Sequence, residues 1–200
     1  MGIQLTFTNI ATLMASLYPG FIILFLVLAS LFNYTPLKGV TYLSGIGFCV
    51  VMWMLLAKLF KKPKDVNASL TCDLINLPGF DYQLPNRSSV ITWFTMIYLL
   101  LPMLENTSAL FNPLMIGLLF ILTCVNMLYQ KTMNCSDWLG IFLGSFVGIL
   151  LGVIWFVIFW SAGKKDLLFY NELVSNNVVC NKPSKQTFKC SVYKNGELIS

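Results

Sequence analysis

The side chains able to do chemistry gather in a few places along an otherwise apolar chain. Lys58, Lys61, Lys62 and Lys64 follow closely on one another, Arg87 comes at the end of the same polar stretch, and Lys131 and Asp137 fall in a second one. Arginine holds a phosphate or carboxylate through paired N–H groups, and lysine does so as a compact charge. The set lacks a proton-transfer group suited to neutral pH. The chain has 13 Lys and Arg, 8 Asp and Glu and no His. A histidine base, nucleophile or zinc ligand is therefore excluded. Lys61, Lys62, Lys64, Arg87 and Asp137 are expected to form a lipid-headgroup or phosphate site without catalytic residues, cofactor or metal. The alternative is a solvated basic loop beside an anionic bilayer.

Cysteine usage leaves more than one outcome open. Cys49 and Cys124 fall inside apolar runs and read as packing residues. Cys72 and Cys135 lie in two polar stretches on the same side, where a bridge is geometrically possible. Cys180 and Cys190 either close a small loop in the tail or remain two thiols. No CxxC or similar metal spacing occurs.

The elements that must position these residues are membrane spans. Of the 200 residues, 57% are hydrophobic and 10% charged, against about 45–50% and about 25% in soluble domains. Five apolar runs are expected to cross the bilayer, at 10–32, 40–60, 88–104, 109–129 and 139–160. The first carries no basic leader segment and contains Pro19-Gly20, a kink or late start. The fold class is thus an all-α polytopic membrane bundle over 1–161, with an extramembrane tail over 162–200 that carries a small β-hairpin. Two connections, Asn33–Gly39 and Glu105–Ser108, are tight, which makes the spans they join antiparallel neighbours. The connections on the other side are the polar loop 61–87 and the shorter 130–138.

Lysines near the membrane set the expected orientation. Lys58, Lys61, Lys62, Lys64, Arg87 and Lys131 lie on the long-loop side, against Lys38, Lys164 and Lys165 on the tail side. The positive-inside rule then places the N-terminus and the long loops in the cytoplasm. The opposite orientation stays open, because the tail carries further lysines. It would also make the sequons at Asn67, Asn86 and Asn134 lumenal. The start, Met1-Gly2-Ile3-Gln4-Leu5-Thr6, fits the loose myristoylation pattern or is an ordinary N-terminus.

Gly140, Gly144, Gly148 and Gly152 repeat every fourth residue of the last run and make one smooth helix face. That face either packs against another span of the same chain or mediates self-association. In the tail, Thr187 to Tyr193 alternates with period two, and Lys194-Asn195-Gly196-Glu197 supplies a hairpin turn. Lys182, Lys185, Lys189, Tyr193 and Lys194 would then present a basic docking surface.

The order of loops and residues resembles the type 2 phosphatidic acid phosphatase family over roughly Val40–Trp160. Lys58-Leu59-Phe60-Lys61-Lys62-Pro63 stands where the family's first motif would be, and Leu84-Pro85-Asn86-Arg87-Ser88-Ser89 where the second would be. Asn126-Met127, Met133 and Asp137 fall at the spacing of the third. Ser88 and Met133 replace the two histidines that the family's reaction needs, and Met127 replaces an arginine. The resemblance therefore implies a phosphatase-like bundle with a degenerate, non-enzymatic site.

A second resemblance runs through most of the chain. The ending from Asn177 to Ile199, Tyr18-Pro19-Gly20-Phe21 and Lys38-Gly39-Val40-Thr41-Tyr42-Leu43 look similar to small membrane proteins of nucleocytoplasmic large DNA viruses. It implies a structural protein of a virion's internal membrane, or of the host endoplasmic-reticulum-derived membrane that supplies it. In that setting the tail would anchor capsid or other virion proteins to the lipid bilayer, with no nucleic-acid partner. The alternative is a lipid-phosphate-binding protein or phosphatase descended from the first family. A channel fits less well, because the spans are nearly free of charge.

Overall fold

The computed structural model describes residues 6–66, 68, 69, 72, 82–105 and 113–169, with two short backbone segments, 192–194 and 197–199. Five α-helices follow one another: α1 (Phe7–Phe32), α2 (Pro36–Phe60), α3 (Arg87–Glu105), α4 (Pro113–Thr132) and α5 (Trp138–Ser161). All five are long and apolar enough to cross a membrane, so this is an integral membrane protein. Large apolar side chains such as Leu24, Phe25, Leu118, Phe142 and Phe146 point outward, as lipid contact requires.

The helix bounds follow local chemistry. Helix α2 starts at Pro36, four residues before its expected start, because proline suits the first helical turn, where its missing N–H is not needed. Helix α4 starts at Pro113 for the same reason, against an expected start at 109. It runs on to Thr132, against an expected end at 129. Asn86 opens α3 by accepting the Ser89 backbone N–H on its side-chain oxygen at 2.8 Å. Between α1 and α2 the chain reverses through Tyr34, whose φ is 55°. The two helices meet where the Gly39 N–H donates to Ser30 Oγ at 2.8 Å.

Helix α3 is the hub and packs against each of the other four helices. Its tightest partner is α5. A Cβ added at Gly144 would stand 2.6 Å from the Asn86 carbonyl oxygen, and one at Gly152 would stand 2.9 Å from Ile97 Cβ. Gly140 and Gly148 face the same strip, from Gln83 to Val90 and Trp93. The four glycines therefore meet α3 and its lead-in within the same chain, and that face is occupied.

At the tail end of the bundle, Phe94 stacks on Tyr42 and Tyr98, and both tyrosines meet Phe169 edge-on. Leu168 and Phe169 are buried there, just after a short 3-10 turn, Lys165–Leu167. The root of the tail is thus seated in the bundle. Cys180, Cys190, Lys182, Lys185 and Lys189 lie outside the described residues, as do the side chains of Tyr193 and Lys194, and the expected hairpin is not part of the fold shown here.

Candidate functional site

Several side-chain bonds assemble the long-loop end of the bundle. Trp53 of α2 donates its indole N–H to the Pro85 carbonyl at 2.8 Å. The Asn86 backbone N–H donates to the Gly140 carbonyl at 2.9 Å, and Ser136 Oγ donates to the Gln83 carbonyl at 3.0 Å. The Asn86 amide also donates to Gln130 Oε1 at 3.2 Å. These bonds fix the start of α3 against α2, α4 and α5. Across the top, Cys72 and Cys135 form a disulfide that ties the α2–α3 connection to the α4–α5 connection.

Beneath this roof lies a cavity of about 490 Å³, within the roughly 300–1,000 Å³ of small-molecule sites. Its upper wall is polar: Lys64, Gln83, Asn86, Arg87, Ser88 and Gln130. Its lower wall is apolar, formed by Ile23 of α1, Ile46 and Val50 of α2 and Ile91 of α3. Ile46 sits seven residues along α2 from Trp53, a drop of about 10 Å at 1.5 Å per residue. Both residues line the cavity, which therefore runs from the interfacial level toward the middle of the span. On the α1 side it passes Gly20, where a Cβ would meet nothing within 4 Å.

The expected site residues fall into two groups. Arg87 and Lys64 line the cavity, and the Arg87 guanidinium lies 5.5 Å from the centre of the Trp53 ring. Lys61, Lys62 and Asp137 do not line it. Lys61 caps α2 in the left-handed conformation and is exposed. Lys62 Nζ donates to Asp137 Oδ2 at 2.6 Å, and Lys131 Nζ approaches Asp137 Oδ1 at 3.9 Å. The Lys62 ammonium, hydrogen-bonded to it, holds the Asp137 carboxyl below its ordinary range. Asp137 is thus part of a surface ion cluster rather than of the cavity.

Ser88, the position that the phosphatase resemblance would make the nucleophile, does line the cavity. Its hydroxyl donates to Asn126 Oδ1 at 2.8 Å. An amide oxygen holds that proton in place but does not remove it, so this contact does not activate Ser88. Comparison with known protein families, curated proteins and solved structures gives no match to this chain. Among the described residues, no group of three or more His, Cys, Asp or Glu is placed to hold a metal ion.

Sequence reasoning missed the polar face of α4. Thr123, Asn126 and Gln130 share one face of an apolar helix and are all buried. Thr123 Oγ1 meets Tyr18 Oη of α1 at 3.2 Å, and the Asn126 amide donates to the Ala15 carbonyl at 2.7 Å. The signal was present as polar residues three and four apart within a span, a spacing that marks an inward-facing stripe.

Proposed function

We propose that this protein binds an anionic, lipid-like amphiphile at the long-loop end of its bundle, and that it does so without catalysis. One observation carries the reading: a single cavity joins a cationic rim, Arg87 and Lys64, to an apolar floor at Ile23, Ile46 and Ile91. An amphiphile with a phosphate or carboxylate head matches both ends, and its chain would lie along α1 and α2. The site supports binding rather than turnover because Ser88 is held by an amide and the chain has no histidine.

Native mass spectrometry from nanodiscs of zwitterionic lipid doped with phosphatidic acid tests this. The expected result is an anionic lipid that stays with the chain after the bulk lipid is stripped. A charge-assisted hydrogen bond contributes about 1.5–3 kcal/mol, so Arg87→Gln should weaken retention roughly ten- to a hundredfold. Lys61→Gln, outside the cavity, should leave it unchanged. Equal loss in both variants, or no retained anionic lipid, would overturn the reading.

The anchoring role has one specific support. Leu168 and Phe169 are buried against the bundle, which fixes where residues 170–200 depart. A tail rooted in this way suits docking on a capsid or other virion protein at an internal viral membrane, the partner suggested by the viral resemblance. Co-purification of virion proteins with the full chain, lost on deletion of 178–200, is the expected outcome. Undiminished co-purification would remove it.

A further inference from the structure

The disulfide bears on which side of the membrane the cavity opens. Cys72 and Cys135 stand 63 positions apart in sequence with Cα atoms 5.4 Å apart, and both line the cavity. Their two connections are held together by more than the sulfur bridge. The Ser69 N–H donates to the Met133 carbonyl at 3.2 Å, the Ser136 hydroxyl to the Gln83 carbonyl at 3.0 Å and the Asn86 N–H to the Gly140 carbonyl at 2.9 Å. These bonds thus bring the two sulfurs together. Thiols placed in this way form a bridge in an oxidising compartment, whereas the cytosol keeps thiols reduced.

The contrary sign is the excess of lysine and arginine at the membrane on the long-loop side. In the structure most of those cations have local work. Lys62 and Lys131 face Asp137, Arg87 lies over Trp53 and, with Lys64, lines the cavity. Cations held for binding or pairing say little about insertion, because the positive-inside rule is a bias that other features override. On the tail side, Lys165 Nζ sits 3.7 Å from the centre of the Trp160 ring at the membrane exit. An aromatic–cation pair of this kind suits a headgroup interface.

We infer that the long-loop face, with the mouth of the cavity, lies in an oxidising, non-cytosolic compartment, and that the tail leaves the bundle on the cytosolic side. This reverses the orientation expected from the lysine count. It places ligand entry in the non-cytosolic leaflet and presents the tail to cytosolic partners. Glycosylation at Asn86 is not a usable reporter of sidedness, because that side chain is buried and bonded to Gln130 and Ser89.

Two independent readouts on the full chain, expressed in cells with an intact secretory pathway, test this. Thiols are trapped by alkylation before lysis, and non-reduced peptides are mapped. Separately, epitope tags at the two ends are probed after permeabilising the plasma membrane alone. The expected result is a linked Cys72–Cys135 peptide, absent in Cys72→Ser, with the C-terminal tag accessible and the N-terminal tag protected. Free Cys72 and Cys135 in the trapped sample would overturn the inference. So would a linked peptide together with an accessible N-terminal tag, which would mean that the bridge forms on the cytosolic face.

Discussion

Asn126 of α4 donates its side-chain amide to the carbonyl of Ala15 in α1, at 2.7 Å. In a regular helix that carbonyl would accept the N–H of the residue four positions on, and here that residue is Pro19, which has none. A neighbouring helix therefore supplies the donor that proline removed, as membrane helices with internal prolines require. The same amide accepts the Ser88 hydroxyl. Asn126 thus joins α1 and α3 through one side chain that is fully buried.

A double-mutant cycle follows from this arrangement. Asn126→Ala should destabilise the protein by about 1–2 kcal/mol, the upper part of the range for hydrogen bonds between membrane helices. Pro19→Ala restores a backbone donor for Ala15. In that background, the cost of Asn126→Ala should shrink by roughly 0.5–1 kcal/mol. Reversible unfolding in mixed micelles measures all four variants, and strict additivity would contradict the shared-carbonyl account.

The α3–α5 seam gives a second prediction. Gly148→Val should force the helices apart at Val90 and Trp93 and cost at least about 1–3 kcal/mol. Gly47→Ala and Gly117→Ala, where an added Cβ meets nothing within 4 Å, should be tolerated. Thermal aggregation in detergent ranks the three. Equal behaviour would mean that the glycine stripe does not carry the seam.

Much of this architecture was legible in the sequence, and its gaps have physical causes. The spans stood out because apolar runs of that length have no soluble explanation. The stripe Gly140, Gly144, Gly148 and Gly152 announced a close helix contact but not which helix fills it. The cations of the candidate site were visible, but their sorting was not. Arg87 is drawn inward by Trp53 and the Asn86 cap, while Lys62 is drawn outward by Asp137. Those choices depend on the loop closure between Gln83, Asn86, Ser136 and Gly140, which joins residues far apart in the chain. The Asn126–Ala15 bond is hidden in the sequence because Pro19-Gly20 reads only as a kink or late start, which does not say which helix supplies the donor that Ala15 lacks.

The Lys62–Asp137 pair sets a pH expectation. Because the folded carboxyl lies below its ordinary range, its contribution is fully present above the unfolded carboxylate pKa, about 3.9. It fades as pH falls through the lower folded value. Both side chains are nearly half exposed, 45% and 46%, so the pair contributes at most about 1 kcal/mol. Asp137→Asn should leave stability between pH 5 and pH 8 within about that margin and flatten the acid limb of the profile. A large loss at neutral pH would assign Asp137 a further role.

Filling the cavity at its open flank separates binding from folding. A Cβ at Gly20 points into free space beside α1, so Gly20→Phe should fold normally and lose most of the retained anionic lipid. Normal retention in Gly20→Phe would place the ligand elsewhere.

The most direct test of the binding account is photocrosslinking with a phosphatidic acid that carries a diazirine in its acyl chain. The account predicts saturable labelling at Ile23, Ile46 and Ile91 on the inner wall, competed by unlabelled phosphatidic acid and lost in Gly20→Phe. Labelling confined to outward residues such as Leu24, Phe25 and Leu28, insensitive to competitor, would show lipid only as surrounding solvent and would contradict it.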